Sequence, residues 1–506
     1  MKRRHETVVL CLGVASLISA SRFAGAQSQG GPGSPVSSPA PAAPPTEGDA
    51  RLPKGERGLA AEGTAREPGS PPPPTETATG FDFGSYGRIG VGSDGRGHEG
   101  YATNVVSHGS RLEEAPYLEL NFYYSRSVGG DPHRRWRVVL APAFAGGDLF
   151  HYSGDFTSHI AIRNAYAETQ NVGVDGLSLW AGSRMYRGDD IYLFDFWPLD
   201  NLNTVGAGAR FEKKKFDIAL HAGLNRLNDL YQYETLATPP RGLGAAGKST
   251  VLDRPRFVSS LKLQQRFGDF PGMKVALYGE LHLLPAGDQT DPNTRLKTGL
   301  PSDAGWVVGA QLGGWLRPYV FANLWLRAAG GLAAYGELTV PTGLDPTRSV
   351  GGAREILAAL SANWESRLAG VMGGAYLRRF TDASTASFNP QSYTEGIIAV
   401  RPHFYWTEYF HTAIELSYQA RRSDGVDFVA NRVLTPQLFR FSVLPLVAPM
   451  GRGTYSRPQI YLIYTVSVMN DDARIALYDP SDYRYGQNIV HYIGTGVEWW
   501  FNSSYR

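Results

Sequence analysis

Most of the chain, from residue 81 onward, is built from short segments in which apolar and polar residues alternate with a period of two. In the segment 117–125, Leu118 and Leu120 share one face, while Tyr117 and Glu119 share the other. Successive side chains point to opposite faces of a strand, so the pattern predicts strands with one apolar and one polar face. The same alternation recurs in 216–225, 273–282 and 412–419.

The extent of this pattern narrows the choice of fold. No run of about 20 apolar residues follows the first 20 positions, which excludes a helical membrane protein. A soluble sandwich could show the alternation in a few strands, but over about 426 residues it indicates a barrel with lipid outside and water inside. At about 9–11 residues per membrane strand, we expect an all-β fold: a transmembrane antiparallel β-barrel of 16 to 18 strands. Such a barrel encloses an aqueous channel.

Composition agrees with a membrane barrel and excludes other classes. Aromatic residues make up 12% of the chain, with 27 Tyr and 10 Trp, which suits aromatic girdles at the two membrane interfaces. The formal net charge is only +2, so no electrostatic argument favours a nucleic-acid partner. The outward partner expected from this composition is membrane lipid.

The amino-terminal residues have the pattern of an export signal. Lys2, Arg3 and Arg4 precede the apolar stretch 8–20, and small residues at 24–26 fit a cleavage site. We therefore predict a signal peptide at 1–26 and, together with the barrel, a location in the bacterial outer membrane. Residues 27–79 are rich in Pro, Gly, Ala and Ser and contain no aromatic residue, which predicts a disordered periplasmic linker. The barrel domain then spans 80–506.

The chemistry-bearing residues give no sign of a cofactor or a metal site. The single cysteine, Cys11, lies inside the predicted signal peptide, so the exported chain would lack thiolate ligands, disulfides and Cys nucleophiles. The 11 histidines include no H-x-x-x-H pair. We expect no cofactor, no metal and no enzymatic activity.

Short motifs occur in a specific order along the barrel region. They are FDFGSYGRIGVG at 81–92, PYLEL at 116–120, WAGSRMY at 180–186 followed by Asp190 and Asp195, Arg401-Pro402, Ser456-Arg457-Pro458, and EWWF at 498–501. Together these segments resemble the maltoporin family of carbohydrate-selective porins. The resemblance covers the whole barrel region, strongly at both ends and thinly in the middle.

That resemblance implies a homotrimer of 18-stranded barrels, each with an inward-folded constriction loop entered after Trp180. It also implies passage of linear oligosaccharides along a stripe of aromatic rings flanked by polar groups. The physical reason is sound, because a sugar ring stacks its apolar face on an aromatic ring while its edge requires hydrogen bonds. Binding must also be weak and distributed enough to let the sugar leave.

The resemblance assigns individual residues to this track. The implied aromatic residues are Tyr86, Tyr117, Phe156, Tyr455 and Trp500. The implied polar residues are Arg88, Arg111, Glu119, Arg163, Arg187, Asp190, Asp195 and Glu498. One departure concerns the constriction loop, where Gly188 stands in place of a family arginine and Arg187 is adjacent.

Two alternative functions remain open at this point. The same scaffold could form a general diffusion porin, or a porin tuned to sucrose or another glycoside. From a different class, an outer-membrane barrel hydrolase would need a Ser/His or Asp/His constellation at the outer rim. No Ser or His of the chain stands in such a signature spacing.

Overall fold

The computed structural model describes residues 79–146, 159–229, 231–238, 247–269, 271–291, 294–336, 339–386 and 391–503. The predicted signal peptide, all but the last residue of the predicted linker, and Phe156 lie outside these ranges. The signal peptide, the linker and the place of Phe156 in the track therefore stay predictions.

Strands make up most of the described residues. In chain order they are β1 (Gly80–Ser93), β2 (Tyr117–Val128), β3 (Asp131–Ala145), β4 (His159–Gln170), β5 (Leu177–Arg187), β6 (Asn201–Lys213), β7 (Phe216–Asn225), β8 (Tyr233–Thr238), β9 (Gly247–Asp253), β10 (Arg256–Gly268), β11 (Gly272–Leu284), β12 (Gly287–Thr290), β13 (Lys297–Leu300), β14 (Asp303–Arg317), β15 (Val320–Gly331), β16 (Arg354–Glu365), β17 (Ala369–Thr381), β18 (Tyr393–Tyr405), β19 (Phe410–Ser423), β20 (Gln437–Val447), β21 (Gln459–Met469) and β22 (Ile489–Phe501).

Eighteen of these described strands form one closed antiparallel sheet, which confirms the predicted barrel and its strand number. Closure is made by β1, which pairs with β2 on one side and with β22 on the other. In this register Tyr86 stands opposite Glu119 on β2 and opposite Trp500 on β22. The remaining four strands form two small hairpins, β8 with β9 and β12 with β13, within connections between barrel strands.

The two ends of the barrel differ in the length of their connections. One end carries short turns such as 129–130, 214–215 and 318–319, whereas the other carries long connections such as 94–116 and 226–255. Outer-membrane barrels have short periplasmic turns and longer extracellular loops, so the long connections mark the outer end. The connection 448–458 is an exception, because it is long and lies at the short-turn end.

Exposure alternates along the strands as a membrane barrel requires. On β15, Leu324 and Leu326 are 42% and 56% exposed, whereas Trp325 between them is 1% exposed. Outward positions of the other strands are likewise apolar and exposed, while the inward positions hold most of the buried polar residues. The barrel wall therefore turns an apolar surface outward and a polar, densely packed surface toward the lumen.

This orientation predicts a strong effect of charge at the middle of the outer wall. Replacing Leu326, at the centre of β15, with Arg should destabilise the barrel by roughly 2–4 kcal/mol, because the charge would lie near the bilayer midplane. The matched control is Leu316→Arg near the short-turn end of β14, where about 0–1 kcal/mol is expected. Denaturant unfolding in lipid vesicles measures both, and equal losses would contradict the assigned membrane position.

Among the described residues, one short α-helix and two 3₁₀ helices, Tyr192–Phe194 and Leu332–Tyr335, interrupt the β structure, although the sequence pattern indicated none. The α-helix is α1 (Asp471–Leu477), and the Asn470 side chain caps it by accepting a hydrogen bond from the backbone N–H of Ala473. No helix in the described ranges is long and apolar enough to cross a membrane.

Candidate functional site

The connection between β5 and β6, residues 188–200, folds into the lumen and is here called the constriction loop. A lysine of the barrel wall holds each end of this loop. The ammonium of Lys274 donates to Asp189 at the start of the loop, and that of Lys262 donates to Asp200 at its end, at 2.9 Å. The Arg327 guanidinium donates to the backbone carbonyl of Pro198 at 2.8 Å. The predicted inward loop is therefore present, and charged groups of the wall hold it.

An apolar face of the constriction loop packs across the barrel against β17. Ile191, Leu193 and Phe194 are buried in the main apolar cluster of the lumen. Gly374 on β17 makes this approach possible, because a Cβ there would lie 2.7 Å from Ile191 and 3.1 Å from the ring of Phe194. A larger residue at Gly374 would therefore push the loop off the wall.

A second connection, residues 94–116 between β1 and β2, also lies inside the lumen, and the sequence analysis did not anticipate it. The backbone N–H of Val105 donates to Gln419 at 2.9 Å, and that of Ser107 donates to Glu395 at 3.1 Å. Farther along, Glu113 accepts from Thr465 at 2.6 Å and pairs with a buried arginine of β20. This connection is thus fastened along β18 to β21 and narrows the lumen from that side.

The two inward connections meet at Glu498, whose surroundings are here called the Glu498 network. One carboxylate oxygen lies 3.0 Å from Arg111 of the β1–β2 connection, and the other accepts from Arg457 at 2.9 Å. The Tyr86 hydroxyl donates to the same carboxylate at 3.2 Å, and that of Tyr192 donates at 2.5 Å. A single buried carboxylate therefore joins β1, β22, the constriction loop and the connection 448–458.

Tyr192 of the constriction loop stands at the centre of this network. The guanidinium carbons of Arg111 and Arg457 lie 4.7 Å and 5.4 Å from the centre of its ring. Its ring edge also meets Tyr455 and Trp500 at centroid distances of 5.5 Å and 6.0 Å. The arrangement is an aromatic ring between cations, which is favourable when water is excluded.

Two of the predicted track residues lie in the lumen with their rings covered. Tyr86 and Tyr117 pack together at a centroid distance of 5.8 Å, and Tyr86 is 0% exposed. The Arg111 guanidinium donates to the Tyr86 hydroxyl at 2.6 Å, so Tyr86 belongs to the Glu498 network. Both residues share their apolar cluster with Trp197 of the constriction loop.

The other two described aromatic residues of the predicted track are more accessible. Trp500 and Tyr455 border a cavity of about 920 Å³ at the short-turn rim of the barrel, together with Tyr319 and Arg457. The Arg457 guanidinium carbon lies 4.2 Å from the centre of the Trp500 ring. Tyr455 and Arg457 reach this position because the connection 448–458 folds into the lumen from the periplasmic end.

The predicted polar residues form ion pairs around these rings. Arg88 lies 3.1 Å from Glu114 and 3.9 Å from Asp195, which joins β1 to both inward connections. On the neighbouring strands, Arg163 lies 3.6 Å from Glu119, and Glu119 accepts from the Tyr117 hydroxyl at 2.8 Å. Four predicted polar groups, together with Glu114, thus lie around the Tyr86–Tyr117 pair.

The remaining predicted residues belong to the constriction loop and its base. The guanidinium carbon of Arg187 lies 3.7 Å from the centre of the Trp197 ring, and its Nε donates to Asn201 at 2.9 Å. Asp190 and Asp195 lie on the loop itself, where Asp195 has a left-handed backbone with φ of 50°. A Cβ at Gly188 would lie 1.8 Å from the Asp200 carboxylate, so the family arginine could not occupy this position without moving Asp200.

Sequence reasoning missed three residues of the site: Tyr192, Trp197 and Arg457. Tyr192 and Trp197 lie close to the predicted loop residues Asp190 and Asp195, so an aromatic ring on an inward loop was the available signal. Arg457 was quoted only as part of a motif. Among the residues that the structure describes, no three His, Cys, Asp or Glu side chains are grouped closely enough to hold a metal ion.

Comparisons with known proteins agree with this geometry. The sequence model of the LamB porin family matches residues 81–501. A maltoporin of Vibrio cholerae is 25% identical over 424 residues, covering 78% of this chain and 91% of the relative.

Solved structures of outer-membrane proteins are less similar to this chain. Acinetobacter baumannii OccAB1 has a TM-score of 0.41 at 10% identity, covering 83% of this chain and 96% of that one. The trimer form of Vibrio cholerae OmpT has a TM-score of 0.37 at 12% identity, covering 84% of this chain and 100% of that one.

A family match over 81–501 spans nearly the whole of the described barrel, from its first strand to its last. The chain belongs to the LamB porin family and is a carbohydrate porin, a channel of the bacterial outer membrane.

Proposed function

We propose that this porin conducts linear, maltodextrin-like oligosaccharides by facilitated diffusion along an aromatic track with charged flanks. The observation that carries the proposal is the continuous chain of rings from Tyr455 through Tyr192 to Trp500, with arginine side chains against it. The curated relatives named maltoporin give independent support for this substrate class.

The chemistry of the rings and their neighbours suits a sugar chain. A pyranose presents apolar C–H faces and a polar rim of hydroxyl groups, and stacking on Trp or Tyr uses the apolar face. Arginine and carboxylate groups beside the ring supply directional hydrogen bonds to the hydroxyls. Trp500 with Arg457 provides both components within one lumenal neighbourhood.

Accessibility suggests how the roles are divided along the track. Trp500 and Tyr455 border the periplasmic cavity, so we assign them direct stacking on the sugar before it leaves. Tyr86 and Tyr117 are covered by Arg111 and by Trp197, so we assign them a structural role: they hold the constriction loop in place. A homotrimer and a contribution of Phe156 to the track, both implied by the maltoporin-like motifs, are part of this proposal.

The test is single-channel conductance in a planar bilayer, with maltohexaose titrated first and sucrose second. Maltohexaose should close the channel in a concentration-dependent manner. Trp500→Ala and Tyr455→Ala should each weaken the block by roughly two- to tenfold, which corresponds to the loss of one aromatic contact of about 0.5–1.5 kcal/mol.

The matched control is Trp364→Ala near the short-turn end of β16, where the indole faces outward and is 49% exposed. This variant should bind maltohexaose like the unmodified channel. Open channels that maltohexaose never blocks would contradict the proposal and favour a general diffusion porin. Block by sucrose at lower concentration than by maltohexaose would favour a porin tuned to small glycosides.

A further inference from the structure

On the outer side of the constriction loop, one wall of the lumen carries an alternating row of charges across five neighbouring strands. The row consists of Arg327, Glu355, Arg378, Glu395 and Arg421 on β15 to β19. Glu355 lies 2.6 Å from the first arginine and 2.7 Å from the second. Glu395 lies farther from its two neighbours, at 3.7 Å and 3.9 Å. The row therefore contains three guanidinium groups for two carboxylates.

The carboxylates of this row are hidden, and the guanidinium groups are more accessible. The side chains of Glu355 and Glu395 are 1% and 0% exposed, whereas those of Arg327, Arg378 and Arg421 are 16%, 12% and 27% exposed. The surface presented to the lumen is thus arginine. Arg421 is the most exposed of the three, and its only ion pair among the described residues is the 3.9 Å contact with Glu395.

These three arginines line a cavity of about 440 Å³, here called the outer chamber, which lies above Phe196 and Trp197 of the constriction loop. The volume falls within the roughly 300–1,000 Å³ of ordinary small-molecule pockets. Two acids also border it, and both have close partners. Glu280 accepts from Tyr278 and bonds His282, and Asp195 lies 3.9 Å from Arg88.

The arginines of this wall affect the ionisation of His108, a residue of the β1–β2 connection that also borders the outer chamber. Its ring stacks on Phe196 at a centroid distance of 3.9 Å. Burial, together with the nearby guanidinium groups of Arg378 and Arg327, lowers the pKa of His108 to about 3. The imidazole is therefore neutral at physiological pH, and arginine supplies the positive charge of this wall.

Aromatic rings accompany the arginines in the outer chamber. The guanidinium carbon of Arg421 lies 3.8 Å from the centre of the Tyr393 ring, and Arg378 donates to the Tyr393 hydroxyl at 2.9 Å. Phe380 packs beside Tyr393 at a centroid distance of 5.4 Å. The chamber therefore offers guanidinium groups for an anion next to rings for a sugar face.

We propose that the outer chamber is a binding subsite for the carboxylate of an acidic oligosaccharide, such as one that ends in an aldonic or uronic acid. The inference rests on the proposed function, because it extends the same sugar path outward from the constriction. Arginine is the side chain suited to planar recognition of carboxylates, and arginine-lined constrictions favour anions in channels. The acidic end is held at Arg421 and Arg378 while the neutral units enter the constriction.

The experiment compares two probes that differ only in one charged end: maltohexaose and its aldonic acid, maltohexaonate. Each is added from the side of the long connections to single channels in a planar bilayer at low salt. Maltohexaonate should block at a concentration about tenfold lower than maltohexaose, since a hydrogen bond to a charged group contributes of that order. Arg421→Gln should reduce this preference, taken as the ratio of the two blocking concentrations in the same variant, to about twofold or less.

The matched control is Arg422→Gln, because Arg422 is the next residue on β19 and faces away from the lumen. This variant should keep the full preference. Arg378→Gln, at the other guanidinium group of the proposed subsite, should reduce it as Arg421→Gln does. Equal block by both probes in the unmodified channel would overturn the inference alone, and so would a preference that survives both lumenal substitutions. Channels that neither probe blocks would overturn the proposed function and this inference together.

Discussion

Replacing Glu498 with Gln is expected to destabilise the barrel by about 3–5 kcal/mol, which is the usual cost of leaving a buried charge uncompensated. Arg111 and Arg457 are both almost completely buried and both pair with this carboxylate, and Arg111 pairs in addition with Glu114 at 3.3 Å. With Gln at 498 the two guanidinium groups would repel each other at the meeting point of both inward connections. Denaturant unfolding in detergent or lipid measures the loss, and conductance recordings should show a noisier and wider channel.

The control for this prediction is Glu212→Gln at the periplasmic end of β6. Its partner Arg210 is partly exposed and also pairs with Asp217, so a loss of less than about 1 kcal/mol is expected. If Glu498→Gln were no more harmful than Glu212→Gln, the Glu498 network would not be the element that holds the lumen together.

Removing the ring of Tyr192 is the second change with a large expected effect. Tyr192→Ala should lower stability by about 3 kcal/mol or more, because a fully packed aromatic side chain is lost. It should also raise single-channel conductance, since this ring lies between Arg111, Tyr455 and Trp500 in the narrow part of the lumen. Paired measurements of unfolding and conductance test both statements.

Tyr192→Phe separates the two contributions of this residue. The ring contacts to Tyr455 and Trp500 remain, and only the hydroxyl that donates to Glu498 is removed. We expect a loss of about 1.5–3 kcal/mol, the range for a hydrogen bond to a charged group, with conductance close to that of the unmodified channel. A conductance increase as large as that of Tyr192→Ala would mean that the hydroxyl, and not the ring, narrows the passage.

The barrel could be predicted because its cause is local and repeats along the chain. The residues of each strand alternate between an inward and an outward face, as Trp325 between Leu324 and Leu326 illustrates. Residue parity also placed Tyr86, Arg88 and Glu498 on the lumenal side, and the pairing of β1 with β22 brings these positions together. Such predictions require only the period of two and the closure of the sheet.

The filling of the lumen could not be predicted in the same way. The connection 94–116 has no periodic pattern, and its inward position depends on partners more than 260 residues away, such as Tyr376 and Gln419. Arg111, Tyr192 and Arg457 come from three different connections and meet at one carboxylate. No single segment of the sequence predicts that these residues meet, because the path of each connection depends on contacts with side chains of distant strands.

The sequence by itself determined a membrane barrel of about 18 strands and its lumenal face, and it predicted most of the residues that we propose for the sugar-binding track. Only the tertiary structure decided that the connections 94–116 and 448–458 also enter the lumen, that Tyr86 is covered while Trp500 is accessible, and that three arginines line the outer chamber. The physical reason is that strand periodicity is a property of neighbouring residues. Burial and charge balance inside the lumen are sums over side chains that only the closed barrel brings together.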